Sequence, residues 1–330
     1  MSLVWRKVPP YARDMELEVR HLRALCAIAD TGSLHKAARR LGTSQPSLTT
    51  QLRRIEQALG AELFTRERTG CRPTPLGHAV LSRARPLVAQ LERLVSDTRA
   101  AAAHADGVAR LRIGSTASRV LAGWLRRLRG RLPGTDITLQ MDVSAGALLR
   151  GLAAGRLDVA FVHEVEGCPL RVPEGLERRV LVEREPQFIS LPRDHPAAAA
   201  PVVDLADLAG DRWMVDPTVD GEWDGLRRVL WAAGIDPPVL HGDYHTAASL
   251  IVAGEAVAPC QPTSGPRDDM AIRPLRDDPL AVRLLLYHRP GTETDAVYAE
   301  LAAAYREAAL GTATYRQWLL RHGSPLLPAA

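Results

Sequence analysis

Lysine is almost missing from this 330-residue chain: Lys7 and Lys36 stand alone among many arginines, a bias that says more about the genome than about the fold. Cysteine is scarce too. Cys26, Cys71, Cys168 and Cys260 lie far apart with no CxxC pair. That argues against a disulfide framework or structural zinc and for a reducing, cytoplasmic setting. No stretch approaches the roughly 18–20 unbroken apolar residues of a membrane span, so no membrane partner is expected. Residues 1–13 carry Arg6, Lys7 and Arg13 but no apolar core, unlike a secretory signal. Neither nucleotide-binding glycine fingerprint is present, nor a GxSxG elbow, nor an HExxH pair. The nearest approach to a metal motif is His241-x-Asp243-x-His245, which reads as a solvated strand end. No metal, cofactor or catalytic role is expected.

What remains is ordinary globular composition, 46% hydrophobic and 24% charged, long enough for two or three domains. The charge is unevenly spread. Residues 1–107 hold 17 basic and 10 acidic side chains, a net +7, while 108–330 is net −3. Such asymmetry points to a polyanionic partner for the first part only.

Residues 15–74 read as a small helical domain. Leu22, Leu25, Cys26 and Ala29 mark the inward face of a first helix, which Gly32 ends. Ser33 caps a short helix from Leu34 to Leu41. Ser44 caps a third, with Pro46 in the first turn, where amide hydrogens lack intrahelical partners. Leu48, Leu52, Ile55 and Leu59 form its inward stripe. Then Glu62–Arg66 and Cys71–Thr74 flank a basic, glycine-containing tip, the pattern of a β-hairpin wing with Pro73 at a strand end. Residues 75–107 read as one long helix. Val80, Ala84, Leu87, Leu91, Leu94 and Thr98 alternate steps of four and three, the seam of a helix that pairs with another.

From residue 108 strands and helices alternate. Strands are expected at Leu111–Gly114, Ile137–Val143, Leu157–Val162, Pro186–Leu191, Trp213–Val215, Val239–Tyr244, Ala256–Cys260 and Ala281–His288. Helices are expected near 117–130, 145–154, 222–233, 246–253 and 293–310, with a short one in the 311–330 tail. Parallel βαβ units arranged as two lobes follow, lobe I over about 108–184 and 281–310 and lobe II over about 185–280.

The pair 34–41 and 45–59 is a helix-turn-helix with a polar outer face. With Leu48 inward, Pro46, Thr50, Arg53 and Arg54 lie outward, Ser47 and Thr49 on the flanks, and Gln45 opens the helix. Short polar side chains there reach base edges, while arginines grip phosphate. Ser33 and the wing arginines Arg66, Arg68 and Arg72 complete the expected DNA-binding set. Segment 33–85 alone carries ten basic against three acidic residues.

These residues resemble the LysR-type transcriptional regulators. The likeness rests on Gly32-Ser33-Leu34-His35-Lys36-Ala37-Ala38, Leu41-Gly42-Thr43-Ser44-Gln45-Pro46-Ser47-Leu48, Gln51-Leu52, Ile55-Glu56, Leu59-Gly60, Leu63-Phe64, Arg66, Thr74 and Gly77. It extends more loosely to 310 through Leu157–Phe161, Leu191–Pro196 and Asp204–Leu208. Thr49-Thr50, Pro73, Pro75 and Glu255-Ala256 depart from the usual text. The resemblance implies an α/β chain in three parts: an N-terminal winged helix-turn-helix, a dimerising linker helix and a two-lobed effector domain built like periplasmic solute-binding proteins. Its implied partners are an inverted-repeat operator in double-stranded DNA, a second copy (and a tetramer through the effector domains), and RNA polymerase where it activates.

An effector is expected in the cleft outside the strand ends, at Ser115, Thr116 and Ser144, with His163 and Thr246 as further walls. Two hydroxyl-rich helix starts favour an anionic group. The alternative class is a solute-binding or enzyme-derived module whose basic domain docks to another macromolecule without an operator.

Overall fold

The computed structural model describes residues 17–67, 70–105, 109–265 and 268–324. The chain divides into two compact units, Met1–Val95 and Ser96–Ala330.

In the first unit, α1 (Val19–Thr31), α2 (Leu34–Arg40) and α3 (Gln45–Leu59) are followed by the antiparallel hairpin β1 (Phe64–Glu67) and β2 (Gly70–Pro73), then by α4 (Pro75–Ala105). The punctuation is that expected. Gly32 and Gly60 end their helices in the left-handed conformation at φ 60° and 70°, Ser33 accepts the Lys36 N–H, and Ser44 accepts that of Ser47. Leu25, Ile28, Ala37, Leu48, Leu52, Ile55, Leu63 and Phe64 are buried in one core. Two stripes differ in detail. On α1, Ala24, Ala27 and Ile28 are buried beside Leu22 and Leu25, while Cys26 and Ala29 are half-buried flanks. Leu59 is 42% exposed, because the last turn of α3 overruns the core.

Several residues bind the hairpin to the helices. The Glu56 carboxylate accepts the N–H groups of Leu63 at 2.8 Å and Phe64 at 3.2 Å. Cys71 N donates to Gly32 O at 2.8 Å. The Thr74 hydroxyl accepts from Gly77 N and donates to Glu62 O, both at 3.0 Å, capping α4. At Gly77 a Cβ would lie 2.1 Å from Leu63 O. Gly77→Ala should therefore push α4 off the hairpin and cost about 1–3 kcal/mol. Gly60→Ala, with open space but φ 70°, should cost about 1–2 kcal/mol through backbone strain alone. Urea unfolding of each variant against the wild type measures both losses; the Gly77 contact is with a backbone carbonyl, so trimming neighbouring side chains should relieve neither.

In the second unit, five strands form one sheet in the order β4-β3-β5-β12-β6: β3 (Arg110–Ser115), β4 (Asp136–Met141), β5 (Val159–Val165), β6 (Glu177–Pro186) and β12 (Ala281–His288). β3 runs parallel to β4 and β5, as the βαβ reading requires, and β12 is antiparallel to its neighbours. Helices α5 (Val120–Arg131), α6 (Ala145–Ala153) and α9 (Asp295–Gly311) cover the sheet. This is lobe I.

Lobe II holds a second sheet, β10-β7-β11, made of β7 (Phe188–Pro192), β10 (Ala258–Cys260) and β11 (Met270–Pro274). β8 (Trp213–Val215) pairs in parallel with β9 (Val239–His241). Helices α7 (Glu222–Ala232) and α8 (Tyr244–Val252) complete the lobe. The central β7 is antiparallel to both partners, so lobe II does not repeat the parallel sheet expected from the alternation. β6 and β11 were not among the expected strands, and Tyr244 begins α8 instead of ending β9.

The chain crosses between lobes twice, at 186–188 and at 275–281. A last helix, α10 (Ala313–Arg321), packs on both crossings. Tyr315 lies edge-on to Phe188 at 5.8 Å and shares a 2.9 Å hydrogen bond with Tyr305, whose hydroxyl donates to Glu185 at 2.5 Å. The Trp318 indole donates to the Asp278 carboxylate at 3.0 Å. The tail is thus part of the effector unit.

Candidate nucleic-acid interface and ligand cavity

On α3 the apolar face is turned inward and a polar face is left free. Leu48, Leu52 and Ile55 are almost wholly buried. Gln45, Pro46, Ser47, Thr50, Arg53 and Arg54 are exposed, and Thr49 is half-buried. The Thr50 hydroxyl donates to Pro46 O at 3.0 Å, so it offers a base its methyl group and acceptor side only. Ser33 spends its hydroxyl as the cap of α2. Arg72 is exposed on β2; Arg68 and the side chain of Arg66 lie outside the described residues. Asp30 gathers Arg85 at 2.7 Å and Arg40 at 3.5 Å, so its one negative charge offsets one of the two positive charges, and both arginines stay exposed.

On α4 the expected seam splits. Val80 packs on the helix-turn-helix core and Ala84 is buried. Leu87 is 54% and Leu94 64% exposed, and Leu91 is half-buried.

Between the lobes of the second unit lies a cavity of about 670 Å³, within the range of small-ligand sites. Of the five residues expected there, two line it. Thr116 and His163 share a hydrogen bond at 2.8 Å on its wall. Burial pushes the His163 imidazole down from 6.5 to about 4, so the ring is neutral at pH 7. The other three do not face the cavity. Ser115 is fully buried at the end of β3 and its hydroxyl donates to Thr116 O at 2.8 Å, since neighbouring strand residues point to opposite sides. Thr246 is exposed in the first turn of α8, where its N–H donates to the capping Asp243. Ser144 caps α6, accepting from Ala147 N at 3.1 Å and donating to Asp220 at 2.8 Å.

Sequence reasoning missed Arg119, Gln187, Ser190 and Asp220, all on the wall. Arg119 lies three residues beyond Thr116 and was within reach of the same argument. The others come from lobe II or its first crossing and have no local signal. Cys260 also lines the cavity, and burial pushes its thiol up to about 12, which keeps it protonated and a poor nucleophile. Asp243 is committed to its helix cap. Among the described residues no three His, Cys, Asp or Glu side chains converge as metal ligands, and no helix is long and apolar enough to cross a membrane.

An exposed recognition helix on one unit and a ligand-sized interlobe cavity on the other define a ligand-responsive transcription factor. Residues 19–78 match the bacterial regulatory helix-turn-helix protein, lysR family, and residues 104–310 match the LysR substrate binding domain. The chain belongs to the LysR family of transcriptional regulators. It is 70% identical over 314 residues to a small neutral protease regulatory protein of Streptomyces coelicolor, a match covering 94% of this chain and 99% of that one. It is 31% identical over 250 residues to the HTH-type transcriptional regulator ShiR of Corynebacterium glutamicum (strain R), covering 73% and 82% of the two chains. The solved Corynebacterium glutamicum OxyR C206 mutant shares the fold with a TM-score of 0.54 at 22% identity, over 93% of this chain and 98% of that one.

Proposed function

We propose that this regulator acts in the cytoplasm, without catalysis, by placing the N-terminal half of α3 in the major groove of an inverted-repeat operator while the wing follows the backbone. A homodimer through α4, assembled into a tetramer by the effector domains, presents two such helices about one helical turn apart. A small molecule between the lobes shifts the arrangement of the DNA-binding pairs, and RNA polymerase is a further partner where the regulator activates. By its 70% identity to a small neutral protease regulatory protein, the controlled gene is one for a small neutral protease.

The observation that carries the reading is the exposure of Gln45, Ser47, Thr50, Arg53 and Arg54 on a helix whose opposite face is sealed in the core. Fluorescence anisotropy with a selected operator and a scrambled duplex tests it. Arg53→Ala should weaken both complexes and flatten the logarithmic salt dependence by about 1 unit, as loss of one phosphate contact requires. Gln45→Ala should cost about 1–3 kcal/mol of discrimination and leave the scrambled duplex nearly unaffected. An unaltered salt slope together with an unaltered binding-site preference would remove α3 from the interface.

A further inference from the structure

The N-terminus of α6 was expected to receive a ligand's anion. In the structure it already holds one. The Asp220 side chain, from the loop between β8 and α7 in lobe II, accepts Ser144 Oγ at 2.8 Å and Gly146 N at 2.7 Å in lobe I. Both bonds fall on the same carboxylate oxygen, Oδ2. Asp220 also lines the interlobe cavity. Other bonds also reach between the lobes along this face: Gln261 Nε2 donates to Ala117 O at 2.6 Å, and Arg228 donates to the Glu166 carbonyl. Neither brings a charge of the sign that a helix N-terminus attracts.

We propose that Asp220 is a built-in carboxylate: it fills the anion position at α6 from the opposite lobe, latches the lobes together, and leaves the cavity wall with room for one anionic group of a ligand and not two. Among the described residues Arg119 is the one cationic side chain on that wall, beside Thr116 and Ser118. A ligand with two carboxylates finds its second position taken unless it displaces Asp220 and opens the latch. This inference deepens the effector site proposed above and rests on that reading only for its bearing on ligand choice.

The test uses the full chain and inorganic or simple organic salts, without DNA or effector. Thermal unfolding of the wild type, Asp220→Ala and Asp220→Asn is followed in sodium acetate and in sodium chloride of equal ionic strength. Asp220→Ala should lower the midpoint by about 3–6 °C. Acetate, which fits the vacated position, should restore at least half of the loss, and chloride should not. The wild type and Asp220→Asn should be indifferent to acetate, since each keeps the position filled. An Asp220→Ala protein with the wild-type midpoint, or acetate raising all three proteins equally, would overturn the proposal. Should Asp220→Ala fail to fold, the pair Ser144→Ala and Asp220→Asn carries the test. Their losses should fall short of additive in the double variant, and strict additivity would show that the two side chains are not coupled. A chain that binds no duplex at all would still show acetate rescue, so failure of the DNA reading and failure of the latch are separate results.

Discussion

Replacing Glu185 by glutamine is expected to stabilise the protein at pH 7.5 and above and to expose a steep acid-side dependence that the natural chain conceals. Glu185 is 1% exposed at the first lobe crossing; one oxygen accepts the Tyr305 hydroxyl and the other has no hydrogen-bond partner among the described residues. The ionisable groups around it, Tyr305, Tyr315 and Cys260, are all neutral at pH 7. Burial therefore raises its carboxyl from 4.5 to about 7. Between those values the folded state keeps a proton that the unfolded state releases, so stability falls as pH rises through this window, by on the order of 3 kcal/mol in total.

His163 acts in the opposite sense. Its pKa is lowered from 6.5 to about 4, so the unfolded state binds the extra proton and stability is lost as pH falls through that window. In the wild type the two slopes nearly cancel between pH 4.5 and 6.5. In Glu185→Gln the histidine slope is no longer offset by Glu185, while Tyr305 keeps an acceptor in the amide oxygen. Urea unfolding at pH 4.5, 5.5, 6.5 and 7.5 reads both curves. Parallel curves for the two proteins would show that Glu185 titrates normally.

The second large effect is expected on α4. Leu87→Glu combined with Leu91→Glu should halve the assembly by light scattering at micromolar concentration, leaving copies joined only through their effector domains. Operator affinity should fall about 10²–10⁴-fold, because two linked half-site contacts become one. The effector unit should unfold at its usual temperature, since its core draws nothing from these positions. The prediction is narrower than the heptad spacing alone would make it. Val80 and Ala84 are already occupied within their own domain, whereas Leu87 and Leu94 leave apolar surface in water on a 31-residue helix. A wild-type protein that is monomeric at that concentration would end the two-fold operator along with the dimer.

The contrast along α4 shows what could be read from sequence. A four-three spacing says that a stripe is buried, and it does not say against what. The helix-turn-helix was legible because each boundary is written locally, in Gly32, Ser33, Ser44, Pro46 and Gly60. β6 was missed because Glu177-Arg178-Arg179 opens it and Glu183-Arg184 nearly closes it; as an edge strand with one solvated side it tolerates those charges. β11 has only five residues, too few for a period to emerge. Of the five residues expected at the cavity, Thr116 and His163 line it while Ser115, Ser144 and Thr246 do not; the strand-end rule selects both Ser115 and Thr116 although neighbouring strand residues point to opposite sides. Asp220 meets its partners across 74 to 76 residues of chain, and no local pattern encodes such a contact.

The placing of α10 bears on how the lobes can move. Two strands crossing between two bodies define a line, and the bodies remain free to turn about it. Tyr315 engages the first crossing and Trp318 the second from one rigid helix. A third support off the line turns it into a plane, and rotation about it then requires the aromatic contacts to slide. The compliance of the joint is accordingly set by residues that never meet the ligand. Substitutions at Tyr315 or Trp318 would alter the amplitude of the response and leave the binding walls as they are.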